Sequence, residues 1–64
     1  MPVMVMINEK GEVYGKHYCA EYRQLYWMAI TYRKARPDRK FIVFHNEREM
    51  QMAGFVKEAE NDVV

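Results

Sequence analysis

The sequence contains no serine, one threonine and one cysteine. Because a single cysteine cannot close an internal disulfide, the class of small secreted proteins held together by disulfides is excluded. A reducing compartment, the cytoplasm, is the expected location. No run of about 18 apolar residues is present, so we predict no transmembrane span and no membrane partner.

Residues that support catalysis or metal binding are also scarce. Without serine, nucleophilic catalysis would fall to Cys19, and no orienting group can be assigned to it beside His17 or His45. These three residues are also too few for a closed tetrahedral zinc site built from Cys and His. We therefore predict a protein that is not an enzyme and that holds no metal and no cofactor.

Length and composition predict one small folded domain. The chain has 64 residues, of which 50% are hydrophobic, and a net charge of +1. A domain of this size buries only about 60% of the surface that its unfolded chain exposes, so its stability is expected to be small. We predict a single domain over residues 1–64 with a frayed tail at 60–64. Self-association to a homodimer is one way in which such a domain gains stability.

Two unbroken apolar runs, over residues 3–7 and 41–44, have the length of strands. The turn-rich segment 8–11 and a short alternating segment, 12–15, follow the first run, which is typical of a hairpin with a short second strand. Because neither long run alternates, we expect a sheet that is covered on both faces.

The longest predicted element is a helix over residues 17–36, packed on this sheet and ended by Pro37, which disfavours helical geometry at the residue before it. Its apolar residues recur at spacings of three and four and so share one helical face. This core stripe comprises Tyr18, Tyr22, Leu25, Ala29 and Tyr32.

A second helix is predicted over residues 47–59. Asn46 followed by Glu49 resembles a capping box at its start. Gly54 would lie inside this helix, at a cost of about 1 kcal/mol relative to Ala. The predicted fold is therefore a small α+β domain in the order strand-strand-helix-strand-helix.

The position of Trp27 suggests a binding surface, because it lies about 180° from the core stripe around the first helix. It shares that far side with basic and aliphatic residues, and the predicted site comprises Arg23, Trp27, Ile30 and Lys34. Trp and Arg are enriched among the residues that dominate binding energy. The leading hypothesis is an interaction module, such as a regulatory or accessory protein of bacteriophage origin, that binds another protein here. The alternative for Trp27 is a place in the core under the second helix or the hairpin.

A run of cations near the end of the first helix supports a second hypothesis, a nucleic-acid-binding module. The run comprises Arg33, Lys34, Arg36, Arg39 and Lys40. These side chains could neutralise phosphates while Tyr32 or Trp27 stacks on a base. Favourable interaction with the negative end of the helix dipole accounts equally well for the first three cations.

A third hypothesis starts from Pro2, which would carry a secondary amine once Met1 is removed. An apolar strand beginning at Pro2, a long helix, and Arg39 ahead of a second apolar strand resemble the small 4-oxalocrotonate tautomerase family. The resemblance implies a tautomerase in which Pro2 is the general base, arginines hold the substrate carboxylates and subunits form hexamers. The chain departs from the family in its 8–11 turn and in a second helix where the family has a Gly-rich hairpin.

Overall fold

The apolar run at the start of the chain forms the central strand of a three-stranded antiparallel sheet. In the computed structural model, which describes residues 1–55, the strand order is β2-β1-β3. The elements in chain order are β1 (Val3–Ile7), β2 (Val13–Tyr18), α1 (Tyr22–Ala35), β3 (Lys40–Phe44) and α2 (Glu47–Met52). The predicted α+β class and the predicted order strand-strand-helix-strand-helix are confirmed. No helix in the described part of the chain is both long enough and apolar enough to cross a membrane.

The sheet buries apolar side chains on both faces, which explains why β1 does not alternate between apolar and polar residues. One face forms a cluster with α2, made of Val3, Val5, Ile7 and Met50. The other face forms a cluster with α1, made of Met4, Leu25, Ala29 and Phe41. The two helices therefore lie on opposite sides of the sheet.

The hairpin between β1 and β2 is held by Asn8, whose Oδ1 accepts the backbone N–H groups of Lys10 and Glu12, both at 2.9 Å. Gly11 has a φ of +84°, a conformation that only glycine adopts without cost. On β2 the partner of Met6 is residue 15 and that of Ile7 is residue 13, so the residue between them, 14, forms a β-bulge.

The first helix begins later than the sequence predicts, at Tyr22 rather than at residue 17. His17 and Tyr18 instead belong to β2, where they pair with Met4 and Val3. The second strand is therefore longer than the sequence predicts, because it remains paired with β1 to its last residue. No side chain caps the start of α1. The predicted end, directly before Pro37, is confirmed to within one residue.

The core stripe is correct at its centre and wrong at its two ends, Tyr18 and Tyr32. Leu25 and Ala29 are buried, and Tyr22 is half-buried. Tyr18 lies outside the helix, and its side chain is exposed. Tyr32 remains 39% exposed while its ring lies against Phe41, with the ring centroids 5.4 Å apart.

The second helix ends at Met52, so the prediction of a helix through residue 59 is wrong where the structure tests it. Gly54 has a φ of +103° and its N–H donates to the Gln51 carbonyl, while the N–H of Phe55 donates to the Met50 carbonyl. These two bonds form a Schellman motif, in which glycine terminates the helix. The predicted continuation over residues 56–59 and the predicted frayed tail at 60–64 lie outside the described residues.

The predicted cap of this helix is confirmed in one of its two bonds. Asn46 Oδ1 accepts the N–H of Glu49 at 2.8 Å. The Glu49 carboxylate does not return to Asn46. It accepts the backbone N–H of His45 at 2.9 Å, one residue earlier than a capping box requires.

Candidate protein-binding surface

Packing of α1 on the sheet determines which of its side chains face outward. Leu25 and Ala29 point into the sheet and are buried, whereas Trp27 is 61% exposed. The second helix packs through Met50 on the opposite face of the sheet, so it does not cover Trp27. The alternative that Trp27 is a core residue is therefore wrong in this structure.

The structure places the four predicted site residues on the same side of α1. Arg23 and Lys34 are exposed and Ile30 is half-buried. Residues three and four apart are neighbours on a helix surface, which brings Arg23 and Ile30 to either side of Trp27 and Lys34 to the next turn. The sequence prediction of which residues share this side agrees with the structure.

Tyr26 belongs to the same surface, although the sequence analysis did not assign it there. It is 46% exposed, and its ring meets the edge of the Trp27 ring in a T-shaped contact with centroids 5.7 Å apart. Its spacing from Arg23 and Ile30, three and four residues, is the signal that would have identified it. We call this surface the Trp27 face, and it comprises Arg23, Tyr26, Trp27, Ile30 and Lys34.

The Trp27 face has an apolar centre and positive ends. Two aromatic rings and Ile30 form its middle, while Arg23 and Lys34 lie towards the two ends of the helix. No Asp or Glu occurs anywhere in α1. An apolar surface bounded by positive charge is complementary to an apolar groove with an acidic rim.

The basic run does not form one continuous surface, because several of its members bind other parts of the chain. Arg33 Nη2 donates to the Phe41 carbonyl at 2.6 Å. Arg36 forms two hydrogen bonds to Asp38, at 3.1 and 3.2 Å, and these bonds lower the pKa of the Asp38 carboxyl and raise the pKa of Arg36. Two of the five predicted cations thus already have hydrogen-bond partners.

Arg39 is held from two sides. Its guanidinium lies over the Tyr14 ring, 4.9 Å from the centroid, and its Nε is 3.3 Å from Glu9 Oε1. This ion pair lacks hydrogen-bond geometry, and Arg39 Nε is buried with no hydrogen-bond partner in the described part of the chain. Lys34 and Lys40 are exposed.

Two further contacts join residues that are distant in the sequence. The Tyr18 hydroxyl donates to Glu47 Oε2 at 2.8 Å, and the His45 ring stacks on Tyr22 with centroids 4.1 Å apart. Partial burial, followed by the bond to Glu47, raises the pKa of Tyr18. The backbone N–H of His45 is the main cause of the lowered pKa of Glu49.

The residues considered for metal binding or thiol chemistry are not assembled into such a site. Cys19 is half-buried against the cluster that contains Met4, while His17 is exposed on β2. Within residues 1–55, no three His, Cys, Asp or Glu side chains are grouped to hold a metal ion.

The residues of the tautomerase hypothesis lie far apart within one chain. Pro2 precedes Val3, which pairs with Phe44, whereas Arg39 precedes Lys40, which pairs with Ile7 at the other end of β1. Six residue steps along the strand direction separate Pro2 from Arg39, which corresponds to roughly 20 Å. A carboxylate held by Arg39 is therefore out of reach of the Pro2 nitrogen of the same chain.

No protein-family model matches this sequence, and neither the curated proteins nor the solved structures include a significant match to it.

Proposed function

We propose that this protein is a small, non-enzymatic interaction module of the cytoplasm that binds another protein through the Trp27 face. The observation that carries the proposal is the 61% exposure of Trp27 beside an exposed Tyr26. Neither of these two residues is among the buried residues that join α1 to the sheet. A regulatory or accessory role, such as a small bacteriophage protein plays, agrees with the size of the chain.

The exposed part of Trp27 is large enough to dominate a contact. A Trp side chain buries about 150–250 Å² in an interface, so covering the 61% that is exposed would remove roughly 90–150 Å² from water. At about 25 cal/mol per Å², this burial contributes roughly 2–4 kcal/mol. Such a value is that of a binding hot spot, at which truncation costs about 2 kcal/mol or more.

The shape and charge of the Trp27 face indicate the chemistry of the partner. Trp27 and Ile30 are spaced as anchors on one side of a helix, which is how amphipathic helices occupy apolar grooves. Arg23 and Lys34 would meet acidic residues at the two ends of that groove. We therefore expect an apolar groove with an acidic rim on the partner.

The test is affinity capture from the native host with the wild-type chain, Trp27→Ala and Met52→Ala. Met52 is 80% exposed and lies on α2, away from the Trp27 face, so it is the matched control for loss of an exposed apolar side chain. We expect one partner that the wild type and Met52→Ala both retain and that Trp27→Ala loses. Retention of every captured protein by Trp27→Ala would contradict the proposal.

Self-association through the same face is the simplest form of this contact. Sedimentation of the wild type beside Trp27→Ala tests it, because a homodimer joined by the Trp27 face would dissociate in the variant. A monomer in both cases would eliminate the homodimer and leave binding to a different protein as the function to test.

The nucleic-acid alternative remains a separate proposal, based on Arg33, Lys34, Arg36, Arg39 and Lys40. Occupation of Arg36 by Asp38 reduces the number of cations that are free to bind phosphates. Binding to phosphates weakens steeply as salt increases, whereas a contact centred on Trp27 depends much less on salt. A partner lost when Arg39 and Lys40 are both changed to Ala, but retained by Trp27→Ala, would favour this alternative.

A further inference from the structure

β3 forms an open edge of the sheet, because β1 pairs with it on one side and no strand within residues 1–55 pairs with it on the other. Along an antiparallel strand, the backbone N–H and C=O groups of successive residues point alternately to the two neighbouring strands. Cys19 N–H donates to the carbonyl of Pro2, directly before β1, and Asn8 N–H donates to the Glu12 carbonyl directly after it. The even-numbered residues of β1 therefore bond towards β2, and its odd-numbered residues bond towards β3.

This alternation determines which backbone groups of β3 point outward. The odd-numbered residues of β1 have even-numbered partners in β3, so these even-numbered residues bond inward. The backbone groups of Phe41 and Val43 therefore point away from β1. In the described part of the chain, no hydrogen bond outside the sheet reaches the N–H of either residue or the carbonyl of Val43. Such unpaired groups are those to which a further strand adds.

The outward carbonyl of Phe41 is bound by Arg33. Arg33 Nη2 donates to this oxygen at 2.6 Å, which is shorter than ordinary N–H···O bonds, as expected for a charged donor. A strand added to β3 would run about 4.8 Å away from it, and one of its own N–H groups would have to bond to the same oxygen. The Arg33 guanidinium therefore competes with an added strand for this position.

The other end of the edge is also bound by a charged side chain. His45 directly follows β3, and its backbone N–H donates to Glu49 Oε1 at 2.9 Å. The His45 ring also stacks on Tyr22 at the start of α1. A side chain of α1 and a side chain of α2 thus each bind a backbone group at one end of β3. Only the middle of the strand remains open.

A second copy of the chain matches the outward groups of β3. Antiparallel pairing of two β3 strands about a two-fold axis at Ile42 would place Phe41 of each copy opposite Val43 of the other. Each outward N–H would then face an outward carbonyl of the other copy. The composition of β3 favours such pairing, because Phe, Ile and Val dominate the strand and it contains neither Pro nor Gly.

We propose that Arg33 blocks the pairing of β3 with the β3 strand of a second copy, and that removal of this side chain allows the two copies to form one continuous sheet. A hydrogen bond to a charged group contributes about tenfold or more to an equilibrium constant. Symmetric pairing breaks one such bond in each copy, so Arg33 disfavours it by roughly 100-fold. The blocking contact lies on β3 and is independent of the Trp27 face.

The test compares the wild type with Arg33→Met by sedimentation and by amide hydrogen exchange measured with NMR. Arg33 is exposed and Met is a good helix former, so α1 is retained. Arg33→Ala is a second variant that cannot reach the Phe41 carbonyl. Lys34→Met is the matched control, because it removes the neighbouring positive charge and adds the same side chain. Arg33→Met is also combined with Trp27→Ala, which separates pairing through β3 from association through the Trp27 face.

In the wild type, the amides of Phe41 and Val43 should exchange rapidly at every concentration, whereas the inward amide of Ile42 should be protected. In Arg33→Met the dimerisation constant should rise roughly 100-fold, and the Phe41 and Val43 amides should become protected as the protein concentration increases. Lys34→Met should behave like the wild type. Adding Trp27→Ala to Arg33→Met should leave this association unchanged.

Three results would overturn the proposal. The first is protection of the Val43 amide in the wild type, which would show that the edge is already occupied. The second is equal association of Arg33→Met and Lys34→Met, which would attribute the effect to the loss of positive charge alone. The third is an Arg33 variant that associates no more than the wild type, or one that associates while the Phe41 and Val43 amides still exchange rapidly.

Discussion

Replacing Gly54 by Ala tests whether α2 ends where the structure places its end. Gly54 has a φ of +103°, and a Cβ built on it would meet no atom within 4 Å. The expected penalty is therefore purely conformational, because an L-residue pays about 1–2 kcal/mol for left-handed geometry. In a chain of this size, each 1 kcal/mol corresponds to roughly 4–8 °C in melting temperature.

The assay is urea and thermal unfolding of the wild type and Gly54→Ala, monitored by circular dichroism. Gly54→Asn should lose less stability than Gly54→Ala, since Asn tolerates this backbone conformation better. Gly11→Ala is the matched control, because Gly11 also has a positive φ and open space around it. It should be destabilised by a similar amount.

The sign of the effect distinguishes the two accounts of this segment. If α2 continued through Gly54, as the sequence alone suggested, Ala would stabilise the protein by about 1 kcal/mol. A Gly54→Ala variant that is more stable than the wild type would therefore refute the helix end and the Schellman motif with it.

Three further predictions concern the caps, the core and the charges. Asn46→Ala removes the Oδ1 that caps α2 and should lower the free energy of unfolding by about 1 kcal/mol in urea titrations. An unchanged urea midpoint would show that the cap is dispensable. Leu25→Ala should lower the free energy of unfolding by about 2–5 kcal/mol in the same assay, because Leu25 is fully buried. Trp27→Ala should change it by no more than about 1 kcal/mol. Equal losses in the two variants would contradict the assignment of Leu25 to the buried face of α1 and of Trp27 to the exposed face. Folding lowers the pKa of the Glu49 carboxyl below its ordinary value of 4.5. Ionised Glu49 therefore stabilises the folded protein fully above pH 4.5, and this stabilisation disappears as the pH falls through the lower pKa of the folded state. Glu49→Gln should therefore show a smaller acid-induced drop in the urea midpoint than the wild type, and an identical drop in both would reject this linkage.

The features that sequence periodicity predicted well are those determined by local pattern. The apolar runs located β1 and β3, and Pro37 located the end of α1 to within one residue. The helical phase of Leu25 and Ala29 was sufficient to predict that Trp27 points away from the sheet. These predictions depend on residues close together in the chain, whose spacing is visible in the sequence.

The error at Tyr18 came from a contact between distant residues, and the error at Gly54 from a local choice that the sequence leaves open. Tyr18 has the helical spacing from Tyr22, but pairing of β2 with β1 is what determines its conformation. A glycine such as Gly54 fits either a helix interior or a helix end, and only the bond from Phe55 to the Met50 carbonyl distinguishes them.

The pairing of Arg39 had the same cause as the error at Tyr18. Arg39 is held by Glu9 in the hairpin turn and by Tyr14 in β2, which lie 30 and 25 residues earlier in the chain. The sequence shows five cations close together but does not show which of them are paired.

The central claim is that Trp27 is the anchor of a protein contact. Its most direct test is the dissociation constant of the captured partner for the wild type, Trp27→Ala and Met52→Ala, measured by calorimetry on purified proteins. The account predicts a loss of affinity of about 30-fold or more for Trp27→Ala, the value of a hot spot, and none for Met52→Ala. Equal affinity of the partner for Trp27→Ala and the wild type would contradict it.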